Sequence, residues 1–117
     1  MGRIRSDLWC SAFVRRHNDL GHICVLSRRG DPIAGQVFIE VDHLDGTVSL
    51  FTPAPMAARE DGDAGLWFQR RFDHVEPSKS RERIAQEVGY DPDLWVISLD
   101  FRGENPGIDV IAESPKT

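Results

Sequence analysis

The stretch from Arg28 to Pro55 limits the fold more than any other, because short apolar runs alternate there with turn residues at close intervals. Gly30-Asp31-Pro32 supplies bend chemistry. The run from Gly35 to Asp42 then places Val37, Ile39 and Val41 on one face and Phe38, Glu40 and Asp42 on the other, which predicts a half-buried antiparallel strand. Asp45-Gly46 is a hairpin signal, since both residues accept positive φ. Val48 to Thr52 returns, and Pro53 and Pro55 end it. Such punctuation suits a strand meander.

The rest of the chain places two helices and three more strands around that meander. Trp9, Phe13, His17 and Leu20 follow helical spacing, widened by Cys10 and Val14, so a helix is expected over 7–20 with Ser6 as N-cap and Gly21 as its stop. Its apolar stripe should lie on a sheet. A first strand follows at 22–28. Residues 56–65 read as an acidic, Gly-rich mobile loop, and 66–72 as a fourth strand with Leu66, Phe68 and Phe72 on one face. Pro77 opens a second helix at 78–88, closed by Gly89. Its narrow stripe of Ile84, Ala85 and Val88 places it on the periphery or on the opposite face of the sheet. The run 94–99 is apolar on both faces, as in a strand covered on both sides. The expected architecture is a single α+β domain over 1–102 with the order α-β-β-β-β-α-β. Its sheet has about five strands, mostly antiparallel, and 103–117 form a frayed tail or an edge segment.

A chain of 117 residues with 40% hydrophobic and 28% charged residues has the makeup of an ordinary soluble globule. No apolar run approaches the ~20 residues that cross a bilayer, and no apolar segment follows the basic start, so a cytoplasmic protein without a membrane role is expected. Cys10 and Cys24 lack metal spacing and read as small buried hydrophobes. Residues 60–117 carry seven basic residues against thirteen acids, and the whole chain is at −5. That balance disfavours nucleic acid, whose phosphates supply most nonspecific affinity.

Several blocks carry a resemblance: Trp9 to Arg16 (W-C-S-A-F-V-R-R), Arg28 to Gly35 (R-R-G-D-P-I-A-G), Leu44-Asp45-Gly46, Pro53-Ala54-Pro55, and Asp91 to Val96 before Phe101. Together, over about 4–102, they resemble the domain-of-unknown-function family 1491, small proteins found mainly in alphaproteobacteria. The resemblance implies a compact stand-alone bacterial protein with no assigned activity, cofactor or catalytic residue.

Among the residues themselves, arginine doublets are the best lead to function. Guanidinium forks hold phosphate or carboxylate bidentately. Arg15-Arg16 and Arg28-Arg29 could share one anion site if the end of the first helix lay over the first bend, and Arg70-Arg71 is a third doublet. The bland alternative is solvation or pairing with nearby acids. His43 beside Asp42 and Asp45 suggests a metal loop only superficially, because Asp favours hairpin turns for the sake of the backbone. No metal is expected. His17 reads as a core histidine, and His74 between Asp73 and Glu76 as a surface ion pair. Ser49 and Ser98 have no assigned histidine partner. There is no nucleophile elbow, phosphate loop or dinucleotide fingerprint, and no cofactor is expected. Trp67 and Arg71 are the kind of residues that anchor interfaces, which points to a homodimer across the fourth strand. The expected function is a non-enzymatic interaction or adaptor-like module that binds an acidic protein or a small anion at Arg15, Arg16, Arg28 and Arg29. A small enzyme acting on an anionic metabolite is the alternative, and a deep pocket joining these four arginines to His17 or His43 would favour it.

Overall fold

The computed structural model describes residues 4–55 and 66–110; the loop expected at 56–65 and residues 111–117 of the expected tail lie outside them. The elements are α1 (Ser6–Asp19), β1 (Ile23–Arg28), β2 (Val37–Asp42), β3 (Val48–Pro53), β4 (Phe68–Val75), α2 (Pro77–Tyr90) and β5 (Trp95–Asp100), the α+β order read from the sequence. They form one five-stranded sheet in the order β1-β5-β2-β3-β4.

The bend at Gly30 does not close a hairpin. β5 lies between β1 and β2, antiparallel to β1 and parallel to β2, while β2-β3-β4 is an antiparallel meander. The run over 94–99 has enough apolar residues on both faces to take that central place, as its composition implies. β2 becomes a central strand too. Its second face is therefore covered rather than solvated: Phe38 is buried and Glu40 accepts a hydrogen bond from Ser80 of α2. The β2-β3 turn is held by its aspartates as expected, Asp42 accepting from the Leu44 amide and Asp45 from the Thr47 amide and hydroxyl. Positive φ falls on Leu44 and Gly46 rather than on Asp45.

One face of the sheet packs on α1. Cys10 and Phe13 meet Cys24, Val37, Ile39, Val41, Phe51, Phe68, Trp95, Ile97 and Leu99 in one buried cluster. Burial pushes the Cys10 thiol up to about 12 and that of Cys24 up to about 11, so both stay protonated and act as hydrophobes. The other face carries a smaller cluster of Phe38, Leu50, Leu94 and Val96, covered by Ile84 and Val88 of α2. Ile23 and Val25 of β1 lie on that face beyond the reach of α2 and are exposed.

Local details differ from the sequence reading in three places. Ser6 is not the N-cap; it is the first helical residue, and its hydroxyl donates to the Gly35 carbonyl at 2.6 Å. Leu20, expected in the apolar stripe, is exposed beyond the end of α1. Phe68 and Phe72 lie on opposite faces, because a register shift between them inserts an extra residue opposite Leu50 and Phe51. Asn18 turns its side-chain amide to β1, donating to the Cys24 carbonyl and accepting from the Cys24 amide, both at 2.9 Å.

Residues 103–110 lie against the α1 face of the sheet. Ile108 and Val110 pack on the main cluster, the Phe68 amide donates to the Asp109 carbonyl, and Val110 bridges to Phe68 in parallel.

Candidate functional site

All four histidines sit at one end of the sheet, where β1 and β3 begin and β2, β4 and β5 end. This convergence is a product of topology, since the four are spread from 17 to 74 along the chain. His17 and His22 approach at their Nδ1 atoms (3.4 Å), and His22 meets the Phe101 ring edge-on. His17 is only 2% exposed, the core histidine expected, and its Nε2 finds no partner among the described residues. Burial, with Arg16 nearby, pushes its pKa below the ordinary imidazole value.

His43 and His74 line, with Phe101, a cavity of about 330 Å³. Its walls come from Val41 and His43 at the end of β2, Ser49 and Phe51 of β3, Arg70, Asp73 and His74 of β4, and the tail from Phe101 to Pro106. The two imidazoles stack face to face, 3.7 Å between centroids and 6° from parallel. His74 reaches this position through a left-handed backbone (φ 52°) at the second register shift of β4. Such a conformation is uncommon for a non-glycine residue and persists only when its surroundings fix it.

Ser49 supplies that fixation. Its hydroxyl accepts from the His74 amide at 3.1 Å, shares a 2.7 Å hydrogen bond with His43 Nε2, and lies 3.4 Å from Asp73 Oδ1. Asp73 in turn accepts from His74 Nδ1 at 2.8 Å, the ion-pair geometry read from the sequence. That bond, with Arg70 adding to it, holds the Asp73 carboxyl below the usual carboxylate range. Burial, then the neighbouring His74, pushes His43 below the ordinary imidazole value. Two positive charges this close would repel by roughly 4 kcal/mol at an effective dielectric of ~20, less where solvent reaches them.

Ser49 thus has the histidine partner that the sequence did not assign. With three polar neighbours and only 1% exposure, it is a bracket for the β4 bulge rather than a free nucleophile. Arg70 lays its guanidinium carbon 5.4 Å from the Phe51 ring centroid and belongs to the cavity wall. Among the described residues no three metal-ligating side chains converge, here or elsewhere.

Of the three doublets read from sequence, Arg70-Arg71 contributes Arg70 to the cavity, while the four arginines expected to bind an anion lie elsewhere. Arg15 and Arg16 are near the end of α1, beside the start of β1, while Arg28 is the last residue of β1 and Arg29 follows it. The strand between them, of six residues, spans roughly 17 Å, so the geometry brings the doublets to opposite ends of β1. Arg16 lies over Phe13 and Arg29 over Trp95; Arg28 donates to the Pro92 carbonyl at 2.8 Å, with its Nε buried and unpartnered among the described residues. Trp67 is half-buried beside Gly35, Gln36 and Pro53, and Arg71 is exposed on β4. The signal that could have found the cavity is the pair His43 and Asp73-His74 flanking β3 on both sides; it becomes visible only once the β2-β3-β4 meander is drawn in register.

The comparisons agree with the fold and name the family. The family model described as "Protein of unknown function (DUF1491)" matches residues 4–109. The chain belongs to the DUF1491 family. The match extends seven residues beyond the resemblance read from sequence and takes in the tail segment that walls the cavity. The solution structure of a protein from A. tumefaciens is similar at 26% identity and a TM-score of 0.81, covering 97% of this chain and 99% of the other. A crystal structure of a DUF1491 family protein from Caulobacter crescentus superimposes at 24% identity and 0.75, covering 93% and 98%. An NMR structure of a DUF1491 family protein from that organism matches at 26% and 0.73, covering 93% and 97%. No curated protein matches this chain. Among the described residues no helix is long and apolar enough to cross a membrane.

Proposed function

We propose that this DUF1491 protein is a non-enzymatic, cytoplasmic binding module whose cavity holds a small anionic ligand. The observation that carries this reading is the meeting, in one cavity of small-molecule size, of Arg70 with the stacked His43–His74 pair above an aromatic floor. Arg70 is an always-charged fork, and the imidazoles offer N–H donors on a fixed frame. The saturated Ser49 hydroxyl supports binding over turnover. The enzymatic alternative calls for a pocket joining His17 or His43 to Arg15, Arg16, Arg28 or Arg29; this cavity contains His43 but none of those four arginines, and the bracket role of Ser49 argues against a covalent mechanism.

The doublets Arg15-Arg16 and Arg28-Arg29 support a second reading, an acidic protein partner lying along β1. Among the described residues none of the four pairs with a carboxylate. A homodimer anchored by Trp67 and Arg71 also belongs to this reading. It would rest on side chains rather than strand addition, because bulges interrupt β4 and Asp109–Val110 occupy its start.

A thermal-shift screen of small carboxylates and phosphates separates the two anion readings. A ligand at ~100 times its dissociation constant adds about 2.7 kcal/mol, or roughly 10 °C in midpoint for a domain of this size. The shift should vanish in Arg70→Gln and survive in the Arg28→Ala/Arg29→Ala double variant. The opposite pattern would move the site to the first bend.

A further inference from the structure

The charges facing the cavity set a condition on any anion that enters it. Among the described residues Arg70 of β4 is the one permanent positive charge in its wall, against Asp73 of β4 and Glu104 of the tail. Asp42 and Asp45 at the β2-β3 turn also bear on His43. With both imidazoles neutral the wall is therefore net negative, and a bare carboxylate or phosphate would be repelled. A single proton on the stacked pair neutralises the wall and provides a second cation beside Arg70.

The aromatic surfaces set a further condition. Phe51 and Phe101 line the cavity together with Val41, and a volume of about 330 Å³ exceeds what an inorganic anion fills. The space beyond the charged groups suits a flat or aliphatic body.

We propose that the cavity takes up a small organic anion together with one proton, the anionic group lying between Arg70 and the His43–His74 stack and the apolar body against Phe51 and Phe101. This rests on the anion-pocket reading above and adds both the ligand class and the proton. The stack is built for such an uptake, because neutral imidazoles tolerate each other at 3.7 Å, and the repulsion between two charged rings limits uptake to one proton. The depression of His43 by burial is what an incoming anion would reverse. Asp73 holds one edge of His74, so the pair keeps its geometry whether or not the proton is present.

Calorimetric titration of benzoate tests this, run at about pH 6 and about pH 8, on either side of the ordinary imidazole pKa, each in two buffers of different ionisation enthalpy. Benzoate should bind near pH 6 with uptake of up to one proton, and weaken by roughly tenfold per pH unit above the imidazole range. The His43→Gln/His74→Asn double variant should lose the pH dependence; Asn is chosen because it tolerates the left-handed backbone at 74. Arg70→Gln should weaken binding at both pH values. Benzoate binding with equal affinity at both pH values and no proton uptake would overturn the coupling and leave the anion pocket standing. Absence of binding near pH 6, in protein whose one-dimensional NMR spectrum shows it folded, overturns both.

Discussion

At the end of the sheet where Gly30 and Gly35 lie against Asp93, backbone touches backbone: the Asp31 amide donates to the Asp93 carbonyl, Trp95 Nε1 donates to the Asp31 carbonyl, and a Cβ at either glycine would run into Asp93. At the other end the strands part around polar side chains, and Ser49, His43, Asp73 and His74 hold one another across an open cavity. Both ends are specific, but by different means. The first is defined by two glycines packed against the Asp93 backbone, Gly35 also against the Trp95 indole, the second by a hydroxyl with three neighbours. Steric closure tolerates no substitution and offers nothing to a ligand. Polar bracketing costs less to disturb and leaves groups facing water.

Substitutions should expose that contrast, beginning with the closed end. Gly35→Ala meets the Asp93 carbonyl and the Trp95 indole, and overpacking against backbone should cost about 3 kcal/mol in urea unfolding. A cost below about 1 kcal/mol would show that the β5 entry can shift, and the contrast between the ends would lapse. At the open end, Ser49→Ala should cost about 1–3 kcal/mol, because His43 and the His74 amide lose their shared partner. The same variant should broaden the His43 and His74 ring signals in NMR spectra as the bulge loosens.

Acid should act on the open end selectively. His17 and His43 both have depressed pKa values, so the unfolded chain takes a proton that the folded chain resists. Stability is then complete above about pH 6.5 and declines as pH falls below it. His17→Leu should flatten part of that decline; an unchanged slope would assign the acid sensitivity to His43 instead. The smallest effect is expected for Arg70→Gln, about 0.5 kcal/mol of stability from its contact with Phe51, alongside the loss of ligand binding.

The two ends also differ in how far they could be read from sequence. Local chemistry announced the turn at Asp45-Gly46, the apolar α1 stripe and the two-faced apolar run of β5, each of which depends on neighbours a few residues away. The insertion of β5 between β1 and β2 is a long-range choice, and nothing in Gly30-Asp31-Pro32 distinguishes a hairpin bend from a wider connection. The bulges in β4 were hidden for a related reason. Strict alternation puts Phe68 and Phe72 together, and only the pairing with Leu50 and Phe51 shows that an extra residue separates them. The candidate site depends on both hidden features, so sequence yielded its histidines one at a time, with Ser49 unattached. The arginine doublets were legible as charges, but the placement of Arg15-Arg16 and Arg28-Arg29 at opposite ends of β1 follows from the antiparallel run of α1 and β1.

The side chain of Asn18 has a consequence for how this protein behaves in a crowded solution. β1 is an outer strand with Ile23 and Val25 uncovered, the kind of border on which foreign chains stack and fibrils begin. By occupying both the amide and the carbonyl of Cys24, the Asn18 carboxamide imitates a neighbouring strand one residue long. An incoming strand would have to evict it before it could lay down a continuous ladder, so a single polar side chain of the preceding helix keeps an otherwise inviting border from acting as a template for aggregation.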